Sequence, residues 1–183
     1  MAETRRRRLL TVMFVVYLVV LVWVVLWKLH EPFIGRDDMR EIKLVPFVSD
    51  GSFRLNAPVE LAGNLLLFVP LGIYFAALVP AGRWWQAALV AAGLSVALEV
   101  IQFATAVGSS DVADVLVNTS GALAGFALTA HVRRRLGRRF ARGVTWVLAV
   151  GTGLALVAVA VQIASFPRMP AEGDVILVSS SAP

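Results

Sequence analysis

The chain has 183 residues, of which 58% are hydrophobic and 16% are charged. Because soluble domains average about 45–50% apolar and about 25% charged residues, this composition excludes an ordinary soluble domain and predicts a membrane protein of several helices. The net charge of +5 comes from basic residues that flank apolar runs, and the chain has no cysteine, so we expect neither nucleic-acid binding nor disulfide or thiolate chemistry.

The first apolar run, residues 9–27, follows a basic N-terminal stretch, residues 1–8, that holds four consecutive arginines. Its length is about what a helix needs to cross the hydrocarbon core of a bilayer. A cleaved signal peptide would require small residues after the run, and the sequence WVVLWKLHEP offers no such site. We therefore predict an uncleaved first span whose N-terminus lies in the cytoplasm.

The segment from 28 to 59 is the one sizeable polar stretch, and three prolines interrupt it. Within it, RDDMREIK has the mixed charges of either a short helix or a solvated surface turn, and we favour the turn. The following KLVPF, residues 43–47, is apolar enough to dip back toward the membrane interface. Lys43 and Arg54 are the basic residues of this segment placed to fold over a site at the outer face.

Four further apolar runs predict spans at 60–79, 84–107, 112–131 and 143–166. Pro70 and Gly72 interrupt the first of these. A basic loop, residues 132–142, separates the last two, and the Ser-rich tail, 167–183, is expected to be disordered. The predicted fold class is therefore all-α: a polytopic membrane protein with a bundle of five transmembrane helices and a cytoplasmic N-terminus, because the basic segments then crowd the inner ends of the spans.

This topology brings polar residues of three spans to one depth near the outer face. They are Glu60, Asn64, Glu99, Gln102, Asp111, Asp114 and Asn118. At about 1.5 Å per residue, Asn64, Glu99 and Asn118 lie roughly 6–12 Å below the outer surface. Ionisable groups at such depths are costly and usually face other helices or a water-filled cavity. The pattern predicts an outward-facing polar pocket formed by spans two, three and four.

Span four carries the pattern most clearly. Asp111, Asp114, Asn118, Gly121 and Gly125 follow one another at spacings of 3, 4, 3 and 4, so they share one helical stripe. The lower part has the spacing GxxxG, which lets a neighbouring helix approach closely. We expect helix contact at the two glycines and pocket residues above them.

Two kinds of chemistry fit these residues. Carboxylates and amides bind a sugar or peptide head group by hydrogen bonding, and Glu99 with Asp114 would supply an acid and a base if the protein is an enzyme. The alternatives are structural, because polar side chains also join membrane helices and a carboxylate near a helix N-terminus stabilises that end. His30 and His131 have no partner at metal-ligand spacing, so we expect neither a metal nor another cofactor.

Four segments together resemble the VanZ-like family of bacterial membrane proteins, which is named for a member associated with teicoplanin resistance. They are KLVPF, GNLLLFVPLG (63–72), E-x-x-Q at 99–102 and DVADVLVNTSGALAG (111–125). The resemblance covers about 9–131, which we expect to form the family's membrane domain. The chain departs from the family in the turn at 108–110, where an arginine is common and this sequence has Gly-Ser-Ser.

The resemblance implies a multi-pass protein of the plasma membrane, in contact with the lipid bilayer. It also implies a role in the cell envelope or in tolerance of teicoplanin-type glycopeptide antibiotics, with a lipid-linked cell-wall precursor or a glycopeptide as partner. The alternative function is an intramembrane acid–base hydrolase or transferase that acts on a lipid-linked envelope precursor, and a proton-coupled carrier ranks below it.

Overall fold

The computed structural model describes residues 2–27, 42–43, 57–107, 110–137 and 140–166. These contain the helices α1 (Ala2–Trp27), α2 (Ala57–Leu78), α3 (Trp84–Thr105), α4 (Val112–Leu136) and α5 (Phe140–Ala164). Each of the five is long and apolar enough to cross a membrane. The predicted all-helical class with five spans is confirmed. Several predictions concern residues outside the described ranges. They are those for residues 36–41 of RDDMREIK, for residues 44–47 of KLVPF, for Arg54 and for the tail at 167–183. Ile42 and Lys43 are described.

Two helices extend beyond the apolar runs that predict them. Helix α1 begins at Ala2, so the basic N-terminal stretch is helical, and α4 continues to Leu136, into the predicted loop. Arginine favours helix nearly as well as leucine does, and arginines in the last turn of α4 also interact favourably with the helix dipole. Helix α2 runs without a break through Pro70 and Gly72.

The closest helix pair is α2 with α4, which make the most extensive contact in the bundle. A Cβ atom added at Gly121 or Gly125 of α4 would overlap the carbonyl oxygen of Leu65 or Val69, respectively. On the other side of the contact, a Cβ atom at Gly72 of α2 would overlap the carbonyl oxygen of Ala122. Glycines on both helices therefore let the two backbones touch.

Aromatic residues join α1 to α2 in the middle of the bundle. The rings of Phe14 and Tyr17 lie with their centroids 5.3 and 5.4 Å from that of Tyr74, which is fully buried. The hydroxyl of Tyr17 donates a hydrogen bond to the carbonyl of Leu67, at 2.7 Å. The Tyr74 hydroxyl is hydrogen-bonded to that of Thr152 in α5, also at 2.7 Å. Each tyrosine thus has a partner for its one polar atom.

Helix α5 lies mainly against α1. The rings of Trp23 and Phe166 are 6.5 Å apart between centroids, so the ends of α1 and α5 are neighbours. Much of the α5 surface is apolar and exposed, as Trp146, Leu154 and Val161 illustrate. Such a surface is suited to the hydrocarbon of a bilayer, in which backbone hydrogen bonds are satisfied within each helix.

One end of the bundle gathers the C-termini of α1 and α3 and the N-termini of α2 and α4. We call it the polar end. There the two-residue strands β1 (Ile42–Lys43) and β2 (Ser110–Asp111) pair in parallel, with Ile42 opposite Ser110 and Lys43 opposite Asp111. The connection between α1 and α2 is thereby attached to the turn between α3 and α4. Helix α3 ends at Thr105, just before this turn, and the next residue, Ala106, has a left-handed backbone conformation.

Candidate polar site at the shared helix ends

A hydrogen bond between Asn64 and Asp114 joins α2 to α4 one to two turns below the polar end. The side-chain nitrogen Nδ2 of Asn64 donates to Oδ1 of Asp114 at 2.8 Å, and both residues are half-buried. A donor bound to a carboxylate makes a stronger hydrogen bond than one bound to a neutral oxygen. The two helices are therefore joined here by side chains, above the glycines at which their backbones meet.

A second hydrogen bond joins α3 to α4 one turn deeper. Nδ2 of Asn118 donates to Oγ of Ser95 at 2.8 Å, and the two residues are only 3% and 1% exposed. Within the described part of the chain, Oδ1 of Asn118 is buried without a hydrogen-bond partner. Nearly all buried polar atoms in folded proteins have a partner, and a missing one points to a water or a ligand group.

Glu99 and Asp114 lie at the same level on neighbouring helices. Glu99 is four residues beyond Ser95 along α3, and Asp114 is four residues before Asn118 along α4. Because the two helices are antiparallel neighbours, each acid lies one turn above the Ser95–Asn118 hydrogen bond, toward the polar end. Glu99 is half-buried, like Asp114.

Gln102 has a different environment from the other amides. Its Nε2 donates to the backbone carbonyl of Val25 in α1, at 3.0 Å, and the residue is 6% exposed. This amide nitrogen holds α3 against α1, which is the structural role that polar side chains play between membrane helices.

Two predicted site residues are described by their backbones alone. Glu60 belongs to α2, one turn closer to the polar end than Asn64, and Asp111 belongs to β2, opposite Lys43. Their side chains lie outside the described part of the structure. The structure thus brings Asn64 and Asp114 into contact, places Glu99 at the level of Asp114 and Asn118 one turn deeper, and turns the amide nitrogen of Gln102 toward α1.

The VanZ/LLP1 family model matches residues 14–134, which include most of α1 and nearly all of α2 to α4. The chain belongs to the VanZ family. Protein VanZ from Enterococcus faecium is 32% identical to it over 114 residues, which are 61% of this chain and 68% of that protein. No solved structure matches the chain. The polar site of this VanZ-family chain lies within the matched region, and α5 lies outside it.

Ser95 of this VanZ-family chain was not among the predicted site residues. The signal was present, because Ser95, Glu99 and Gln102 follow one another at spacings of four and three on α3. The hydroxyl partners Tyr74 and Thr152 were also missed. Each is a hydrogen-bonding residue inside an apolar run, which is a reason to look for a partner on another helix.

A cavity of about 450 Å³ opens elsewhere in the VanZ-family chain, between α1, α2 and α5. Residues of three helices line it: Tyr17 and Leu21 of α1, several residues between 63 and 73 of α2, and several between 147 and 155 of α5. Apart from Tyr17 and Thr152, the side chains that line it are apolar. It is distinct from the polar site: Asn64, Ser95, Glu99, Asp114 and Asn118 are not among its lining residues.

Proposed function

We propose that this VanZ-family membrane protein lies in the bacterial plasma membrane and supports tolerance of teicoplanin-type glycopeptides. In this proposal the polar site, defined as Asn64, Ser95, Glu99, Asp114 and Asn118, faces outward and binds the hydrogen-bonding part of an envelope molecule. The observation that carries the proposal is the buried Oδ1 of Asn118, which has no partner among the described residues. It lies where the Ser95–Asn118 hydrogen bond joins α3 to α4.

Hydroxyl and amide groups are the chemistry that such a site recognises. Asn118 offers its buried carbonyl oxygen. This atom is an acceptor, so the complementary ligand is a donor, as in a sugar or in the peptide of a lipid-linked cell-wall precursor or a glycopeptide. In an environment of low dielectric constant, each such hydrogen bond is stronger than it would be in water.

The distribution of arginine supports the orientation. The basic start of α1 and the last turn of α4, which contains Arg133, Arg134 and Arg135, lie at the end of the bundle opposite the polar site. Cytoplasmic ends of membrane helices carry an excess of Lys and Arg. The polar site would then lie toward the external face.

Cysteine labelling tests this orientation, because the chain has no cysteine of its own. In intact cells, we expect an impermeant maleimide to label Ser109→Cys, which lies in the sequence between α3 and β2. Ala81→Cys, which is exposed in the turn between α2 and α3, should be labelled only after permeabilisation. The reverse pattern would place the polar site in the cytoplasm and contradict the proposal.

Expression in a glycopeptide-susceptible bacterium tests the function. We expect the native chain to raise the inhibitory concentration of teicoplanin, and Asp114→Leu to return it to the level of the empty vector, since leucine accepts no hydrogen bond. Ser120→Ala is the matched control, because Ser120 is exposed on the same helix and, among the described residues, its hydroxyl donates only to the backbone carbonyl of Leu116. Membrane content of each variant is measured by immunoblot. Full tolerance with Asp114→Leu would remove the polar site from the function.

The alternative is an intramembrane hydrolase or transferase, and the shared level of Glu99 and Asp114 is the observation in its favour. Glu99→Gln preserves the size of the side chain and one acceptor oxygen but transfers no proton. Under the binding proposal this variant retains tolerance within about twofold, a loss of less than about 1 kcal/mol in binding. Loss of tolerance at normal membrane content would favour the enzyme.

A further inference from the structure

The end of the bundle opposite the polar end is strongly basic, and we call it the basic end. It holds four arginines at 5–8 of α1, three at 133–135 of α4, and Arg83 and Arg142. Within the described ranges its one acidic residue is Glu3, whose carboxylate lies 3.9 Å from the guanidinium of one of these arginines. Nine guanidinium groups thus stand against a single carboxylate, and this end attracts anions.

Arg133 is held in place at the basic end. It lies one turn of α4 beyond Thr129, which is 3% exposed, and is itself half-buried. Its Nη1 donates a hydrogen bond to the backbone carbonyl of Pro80, at 3.1 Å, in the turn between α2 and α3. A guanidinium carries five N–H donors, so one bond to Pro80 does not exhaust them.

Arg83 belongs to the same turn. The turn is closed by a hydrogen bond of 2.8 Å from the N–H of Gly82 to the carbonyl of Val79. The N–H of Arg83 then donates to Oε1 of Gln86, at 2.9 Å, where α3 begins. The side chain of Arg83 is exposed. The turn between α2 and α3 therefore carries one arginine of its own and receives a second one from α4.

Two tryptophans follow Arg83 directly. Trp84 is 63% exposed and Trp85 is 42% exposed, although both lie at the start of a membrane-spanning helix. Exposed tryptophans at such positions are typical of the boundary between the hydrocarbon core and the head groups. Arg83 and Arg133 then lie at the level of the lipid phosphates, with the tryptophan rings beside the first part of the acyl chains.

We propose that Arg83 and Arg133 form a binding site for the phosphate of an anionic phospholipid at the turn between α2 and α3. Arginine binds a phosphate through two parallel N–H···O hydrogen bonds, which are stronger than hydrogen bonds between neutral groups. A zwitterionic phospholipid would also bring its ammonium group among the arginines of the basic end, and like charges repel. The charge of this end therefore favours a head group such as that of phosphatidylglycerol, whose one charge is the phosphate.

This site is separate from the polar site, because the two lie at opposite ends of the bundle. It requires neither a glycopeptide ligand nor teicoplanin tolerance. The arginines at 5–8 and 134–135 add to the attraction between the basic end and an anionic membrane surface. Arg133, by contrast, is fixed by its bond to Pro80, and this is the observation that distinguishes a site from a general charge.

Quenching of tryptophan fluorescence by brominated lipid tests the proposal. The purified full chain is reconstituted into phosphatidylcholine vesicles that contain a minor fraction of brominated phosphatidylglycerol or, as the reference, of brominated phosphatidylcholine. Bromine quenches tryptophans that it contacts, so Trp84 and Trp85 report which lipid lies at the turn. We expect the native chain to bind phosphatidylglycerol there about tenfold more strongly than phosphatidylcholine.

The double variant Arg83→Gln/Arg133→Gln should lose this preference, so that the two brominated lipids quench equally. The matched control is Arg5→Gln/Arg7→Gln, which removes the same charge from two exposed residues of α1 and should retain most of the preference. An equal decrease in both double variants would overturn the site, because the basic end would then attract lipid by its overall charge alone. Equal quenching by both lipids in the native chain would also overturn it and would leave these arginines only a role in orienting the chain.

Discussion

Gly125→Ala is expected to force α2 and α4 apart and to lower the free energy of unfolding by about 1–3 kcal/mol, the usual effect of overfilling a packed contact. The added Cβ atom would overlap the carbonyl oxygen of Val69, and a backbone atom cannot move aside as a side chain can. In a protein of this size we expect a Tm lower by roughly 3–10 °C. Gly72→Ala, which meets the same contact from α2, should behave similarly.

The matched control is Gly93→Ala in α3, where no described atom lies within 4 Å of the new Cβ position. Alanine favours helix over glycine by about 1 kcal/mol, so this variant should be as stable as the native chain or more stable. The same gain in helix propensity applies at Gly125. Gly125→Ala is less stable than the native chain only if the free-energy cost of the overlap with Val69 exceeds that gain. The stability of both variants is measured by thermal unfolding of detergent-solubilised protein, monitored by size-exclusion chromatography. A Gly125→Ala protein as stable as Gly93→Ala would mean that the helices are not in backbone contact.

The double variant Ser95→Ala/Asn118→Leu is expected to fold normally and to lose teicoplanin tolerance. Replacing both partners of a buried hydrogen bond with apolar groups of similar shape is nearly neutral or stabilising. This change also removes the acceptor Oδ1 of Asn118, which is buried without a partner among the described residues. Stability should therefore change by less than about 1 kcal/mol, while the site loses the group that we propose binds ligand.

The single variant Asn118→Ala provides the comparison. It leaves the hydroxyl of Ser95, which is 1% exposed, without its present partner, and it opens a space between α3 and α4. We expect it to be less stable by about 1–3 kcal/mol, the cost of an unsatisfied buried group. If the double variant retains full tolerance, Asn118 serves only to pack the helices, and the binding proposal loses its main support.

The apolar runs were sufficient to predict five membrane-spanning helices, because length and apolar composition are properties of each run by itself. The ends of the helices were less predictable. Arg5 to Arg8 lie in a basic stretch that is expected outside the membrane, yet helical hydrogen bonding continues through it. Similarly, Pro70 interrupts the apolar pattern of α2 without interrupting the helix. Charge and proline content are therefore poor guides to where these helices begin and end.

The partners of the polar residues depend on the arrangement of the helices, which spacing alone does not determine. The stripe from Asp114 to Asn118 marks one face of α4, and the structure adds that this face meets Asn64 of α2 at one level and Ser95 of α3 at the next. The carbonyl of Val25, which accepts from Gln102, has no signal in the sequence, because every helical residue carries the same group. The cavity likewise depends on where α5 lies.

The pairing of β1 with β2 has a consequence for the synthesis of the protein. Ile42 emerges from the ribosome well before Ser110, its partner in the parallel pair. At about 5–20 residues per second, the connection after α1 waits for several seconds before its partner exists. The polar end of the bundle is therefore completed late, after α3 has been made, and a chain that stalls between α2 and α4 lacks the partner strand of β1.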